Sequence, residues 1–82
     1  MAETLIQITW HDAHSVAPSW VEKGEIDNGP CVVVSIGWLI PNSKPDHIVI
    51  AQSYNDSDAY DHVLAIPEKM IVSSVVFPQG VV

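Results

Sequence analysis

Arginine is absent and lysine is scarce. Lys23, Lys44 and Lys69 stand against ten acidic side chains in 82 residues, for a net charge of −7. Binding to DNA or RNA normally needs several cations that neutralise phosphates. Three lysines scattered along the chain form no basic stripe, so no DNA or RNA partner is expected, while a small nucleotide held by neutral donors stays open. The lack of arginine also counts against tight recognition of a polyphosphate. A single cysteine, Cys31, excludes a disulfide framework. It sits inside an apolar run, where a buried reduced thiol is the default. No apolar run approaches the length of a membrane span, and Met1-Ala2-Glu3 is not a basic leader, so no membrane partner and a cytoplasmic location are expected. Charged residues make up 16% of the chain and apolar ones 48%, which excludes a disordered tail. So few charges leave apolar surface to be covered, and a short chain without disulfides gains stability from association. One domain over residues 1–82, present as a homo-oligomer, is the expectation.

What is present is strand pattern. The longest apolar run, Cys31-Val32-Val33-Val34-Ser35-Ile36-Gly37-Trp38-Leu39-Ile40, is β-branched and stopped by Pro41-Asn42-Ser43. Val32, Val34, Ile36, Trp38 and Ile40 share one face. Cys31, Val33, Ser35, Gly37 and Leu39 share the other. Gly37 marks a bend or a close approach of backbone. Before this run, Leu5-Ile6-Gln7-Ile8-Thr9-Trp10 alternates, with Ile6, Ile8 and Trp10 inward. Three further strands follow, over residues 47–53, 62–66 and 70–77. Pro67-Glu68-Lys69 between the last two reads as one turn of 3₁₀ helix. Residues 54–61 read as a polar, acidic hairpin loop. Hairpin connections make the sheet antiparallel. Trp10 and Trp38 both lie on apolar strand faces and are expected in the core.

Residues 11–30 form one long loop after the first strand. Ser19-Trp20-Val21-Glu22 has the form of a capping box, so a short helical turn is expected to begin there. A loop of this length is usually functional, and a large ring such as Trp20 in it needs somewhere to pack. The fold expected from this order is all-β: a small five-stranded antiparallel SH3-like or Sm-like barrel with one long loop after strand 1. In Sm-like rings the fourth and fifth strands of neighbouring chains pair, and here the fifth strand carries no charge to deter such pairing.

The catalytic and metal readings are weak. His11-Asp12-Ala13-His14 lacks the repeated Cys/His spacing of a zinc site, and an Asp capping loop amides explains it better. Asp56, Asp58 and Asp61 lack the twelve-residue frame of a calcium loop. Serines, histidines and aspartates are present, but no nucleophile elbow or Cys/His signature arranges them. No enzymatic activity and no cofactor are expected. The candidate binding residues are Asp12, Ser15 and Trp20 on the long loop, with Gln52, Ser53 and Tyr54 across the barrel. These offer neutral donors and acceptors, one carboxylate and a stacking surface, which suits a small polar ligand.

Trp10-His11-Asp12-Ala13, Ser35-Ile36-Gly37-Trp38-Leu39-Ile40, Ile50-Ala51-Gln52-Ser53 and Ile66-Pro67-Glu68-Lys69-Met70-Ile71, in that order, resemble a group of small uncharacterised proteins of tailed bacteriophages. The resemblance implies a phage origin and a place in the host cytoplasm. It implies no reaction. Many phage proteins of this size oppose host defences, some by sequestering nucleotide immune signals. The reading is therefore a non-enzymatic counter-defence protein holding a small polar ligand, such as a nucleotide signal, at an oligomer interface. The alternative is a structural or adaptor module that binds a host or phage protein through an apolar face.

Overall fold

A computed structural model describes residues 3–13, 20–26 and 29–78. Five strands form one antiparallel sheet: β1 (Leu5–Asp12), β2 (Cys31–Leu39), β3 (His47–Tyr54), β4 (Tyr60–Pro67) and β5 (Ile71–Val76). Their spatial order is β4-β3-β2-β1-β5. A 3₁₀ turn, Glu68–Met70, links β4 to β5 and lies against β1. β4 and β5 are the two edges and do not pair, so the sheet is not closed into a barrel. The expected architecture is thus correct as an all-β antiparallel sheet and corrected as to closure.

β3 approaches the backbone of β2 closely at Gly37. β2 pairs with β1 along its whole length, from Leu5 opposite Trp38 to Asp12 opposite Cys31. It pairs with β3 only at Trp38 and Leu39, opposite Ala51 and Ile50. A Cβ added to Gly37 would stand 2.8 Å from the Ala51 carbonyl oxygen and 3.0 Å from Ile50 Cβ. Only glycine leaves room for β3 to cross β2 this closely. The result is one core fed by every strand. Ile6, Ile8, Trp10, Ile50 and Ile66 are buried together, with Val33, Leu39, Ile48 and Ile71 packed around them.

The face of β2 that turns inward is not the more apolar one. Cys31, Val33 and Ser35 are half-buried and Gly37 is buried, whereas Val32, Val34 and Ile36 are 57%, 57% and 55% exposed. The reason is volume. β1 presents Ile6, Ile8 and Trp10 to the interior, and the register sets them against Gly37, Ser35 and Val33. Bulky residues on one strand interdigitate with small ones on the next at native packing density. Ser35 also accepts a 3.1 Å hydrogen bond from Trp10 Nε1, which satisfies the one polar atom of that ring. Trp38 is therefore on the outward face. It is half-buried, not a core residue, with its ring edge-on to Tyr54 at 5.2 Å and 88°.

Candidate functional site

The turns are set by residues that tolerate left-handed backbone. Asn42, Asp46 and Asp58 in the turns, and His62 within β4, have φ of 57°, 59°, 59° and 51°, a region where Asn, Asp and His occur more readily than most side chains. The β3–β4 hairpin is organised by Asn55. Its Oδ1 accepts hydrogen bonds from the Ser57 and Ala59 amides at 2.9 and 3.0 Å, and its own amide donates to the Ala59 carbonyl at 3.0 Å. A side chain standing in for backbone in this way fixes a tight loop. Beyond it, Asp61 accepts from the His62 amide at 3.0 Å and faces His62 Nδ1 at 2.9 Å.

A cavity of about 150 Å³ lies at this hairpin, lined by Ser53, Tyr54, Asn55, Ala59, Tyr60 and Asp61. The Tyr60 hydroxyl titrates above its ordinary value, first through desolvation and then through the nearby Glu3 carboxylate. A second recess of about 300 Å³ is lined by Asn42, Lys44, Pro45, Asp46, His47 and Glu68. There the Glu68 amide donates to the Asp46 carbonyl at 3.0 Å, which ties the β2–β3 turn to the 3₁₀ turn.

The residues expected to bind together are only partly gathered. Ser53 and Tyr54 line the hairpin cavity, and Gln52 stands exposed beside them on β3. Asp12 ends β1, exposed, opposite Cys31. Neither Asp12 nor Trp20 lines the cavity. Ser15 lies outside the described residues. Trp20 is fully exposed, at 100%, so it is not packed as a lid on the core. A short 3₁₀ turn forms at Lys23–Glu25, and Glu22 at its start makes no side-chain cap; Ser19, the first residue of the expected capping box, lies outside the described residues. Among the described residues no cluster of three His, Cys, Asp or Glu side chains could hold a metal, and no helix is long and apolar enough to cross a membrane.

Two features escaped the sequence reading. Asn55 lies inside a segment that reads as polar loop, though an Asn two residues before Ser57 is itself a turn signal. The larger one is the outward row of Val32, Val34 and Ile36. Opposite it on β1 stand His11, Thr9 and Gln7, and opposite Gln7 on β5 stands Val75, 54% exposed. This face has no carboxylate, lysine or arginine in the rows those pairs define. Compared with protein-family models, curated proteins and solved structures, the chain matches none of them.

Proposed function

We propose that this chain is a non-catalytic binding module that docks an apolar protein surface on the outward face of β2. One observation carries the reading. The described residues bury seven hydrophobic side chains, Ile6, Ile8, Trp10, Val49, Ile50, Ala51 and Ile66, and leave thirteen large ones exposed. Three of the thirteen, Val32, Val34 and Ile36, form one contiguous row on a single strand face. Scattered surface hydrophobics are ordinary, but contiguous ones mark interaction sites. The uncharged flanks of the row suit an apolar protein surface, and a chain without arginine suits a phosphate-bearing partner poorly.

The strand order, with a 3₁₀ turn between the last two strands, supports an SH3-like barrel left open between β4 and β5. The resemblance to phage proteins supports an accessory role in the host cytoplasm, directed against a host defence component. The small-ligand reading draws support from the Tyr54–Tyr60 cavity. At about 150 Å³ it is smaller than a typical ligand pocket of roughly 300–1,000 Å³, so a nucleotide there needs walls from a second chain.

The test is a photo-reactive amino acid at position 34, introduced in producing cells, with mass spectrometry of the adduct. A discrete protein adduct that disappears when Ile36→Lys is added is the expected result. A position-34 probe that captures no protein removes the face as a docking surface.

A further inference from the structure

The two free edges of the sheet differ in how they refuse other strands. β4 is guarded near its start, where His62 takes φ of 51° beside the ionisable Asp61. Charges, prolines and local kinks are the usual protection of an edge. β5 has none of the first two. Ile71-Val72-Ser73-Ser74-Val75-Val76 contains no charge, no proline and no glycine, and every residue after Ile71 is exposed. Its one irregularity is a register shift opposite Thr9 and Trp10, which leaves Val72 without a partner on β1.

The register identifies which backbone groups are free. The Phe77 amide donates to the Leu5 carbonyl at 2.9 Å, so residues 5 and 77 form a hydrogen-bonded pair. Such pairs alternate along an antiparallel ladder. Val75 opposite Gln7 and Ser73 opposite Thr9 therefore also bond to β1, and the amides and carbonyls of Ser74 and Val76 point away from it.

We infer that β5 pairs with β5 of a second copy, antiparallel, about a two-fold axis at Ser74. An isologous contact must place residues of the same outward-pointing set opposite each other. With the axis at Ser74, that residue meets itself and Ser73 meets the partner's Val75, and the register shift at Val72 then ends the regular ladder. Every residue from Ile71 to Phe77 is uncharged, so no like charges stand across the contact. The neighbouring registers are worse. An axis at Val76 sets Ser74 against the partner's Pro78, which offers no amide. An axis at Val72 sets Ser74 and Val76 against the partner's Met70 and Glu68, inside the 3₁₀ turn. Charge agrees with the choice. The hairpin carrying Asp56, Asp58 and Asp61 belongs to the opposite edge of the sheet, so two chains of net charge −7 join where neither strand is charged. This edge is distinct from the outward face of β2, and either surface can fail without the other.

Ser74→Pro is the direct test on the full chain. The Ser74 amide bonds to nothing on β1, so proline there removes only the outward donor of an edge strand. Sedimentation of the wild type is expected to give twice the 9.0 kDa chain mass. Ser74→Pro is expected to weaken the dimer at least about tenfold with an unchanged far-ultraviolet circular dichroism spectrum. Should that variant fail to fold, Ser74→Lys gives the same readout by like-charge repulsion at the axis. The register is read by disulfide trapping in a Cys31→Ser background. Residues directly opposite in a hydrogen-bonded pair are about 5.5 Å apart at Cα, within disulfide reach. Ser74→Cys is expected to trap a dimer on mild oxidation and Ser73→Cys to trap far less. A wild-type monomer at roughly 100 µM, a dimer indifferent to both Pro and Lys at position 74, or trapping at 73 as strong as at 74 would each overturn the proposal.

Discussion

The two faces of β2 are built from one nine-residue strand and do opposite work. Inward, Ser35 and Gly37 are small or polar and Val33 is no larger than its neighbours, yet they are the residues the core rests on. Outward, Val32, Val34 and Ile36 are all β-branched and apolar, yet more than half exposed. The inner face is chosen by fit against Ile6, Ile8 and Trp10, and hydrophobicity alone would have chosen the other. The difference teaches that a strand's buried face is a property of the pair of strands. The exposed one is left over for whatever surface the molecule meets.

That comparison can be broken most severely from the inside. Ile8→Ala, at a fully buried position opposite Ser35, is expected to cost about 2–5 kcal/mol in urea unfolding, with the midpoint falling and the slope unchanged. A loss under about 1 kcal/mol would mean that the inner face is not the packed one. Gly37→Ala comes next. Its new methyl meets a carbonyl oxygen at 2.8 Å, so a loss of about 1–3 kcal/mol is expected from overpacking. A neutral or stabilising result would show that β3 does not cross β2 closely there. Trp38→Ala sharpens the contrast. A core tryptophan would cost about 3–5 kcal/mol, but a half-buried ring touching Tyr54 edge-on should cost closer to about 2 kcal/mol. A larger loss would return Trp38 to the core. On the outer face, Val34→Thr should move stability by no more than about 0.5 kcal/mol, since the side chain is already in water. Trp20→Ala should leave the melting curve superimposable on the parent, because the ring is fully exposed. A fall in melting temperature would show that Trp20 covers the core after all.

Much of this was legible without coordinates. The alternation at Ile6, Ile8 and Trp10 reads directly as a half-buried strand, because residues two apart share a face. Gly37 in an otherwise β-branched run reads as a close approach, since nothing else in that run can omit a Cβ. Pro67 places the turn between the last two strands, and the uncharged run after it reads as an open edge. The candidate site was much less legible. Asp12, Trp20 and Tyr54 are separated by strands whose curvature no local pattern records. Trp20 illustrates the limit: a large apolar ring ordinarily packs, but nothing in Pro18-Ser19-Trp20-Val21 says whether a surface is there to receive it.

The sequence by itself determined the number of strands, their antiparallel succession and the close approach at Gly37. These rest on local propensity, which needs no knowledge of neighbours. Only the tertiary structure decided which face of β2 is buried, that Ser35 serves the Trp10 indole, that Trp38 leaves the core for Tyr54, and that β4 and β5 stay apart as open edges. Each of those depends on which side chain stands across the sheet, and that pairing is set by registers between residues far apart in the chain, where volume and hydrogen-bond satisfaction outweigh the hydrophobic pattern of any single strand.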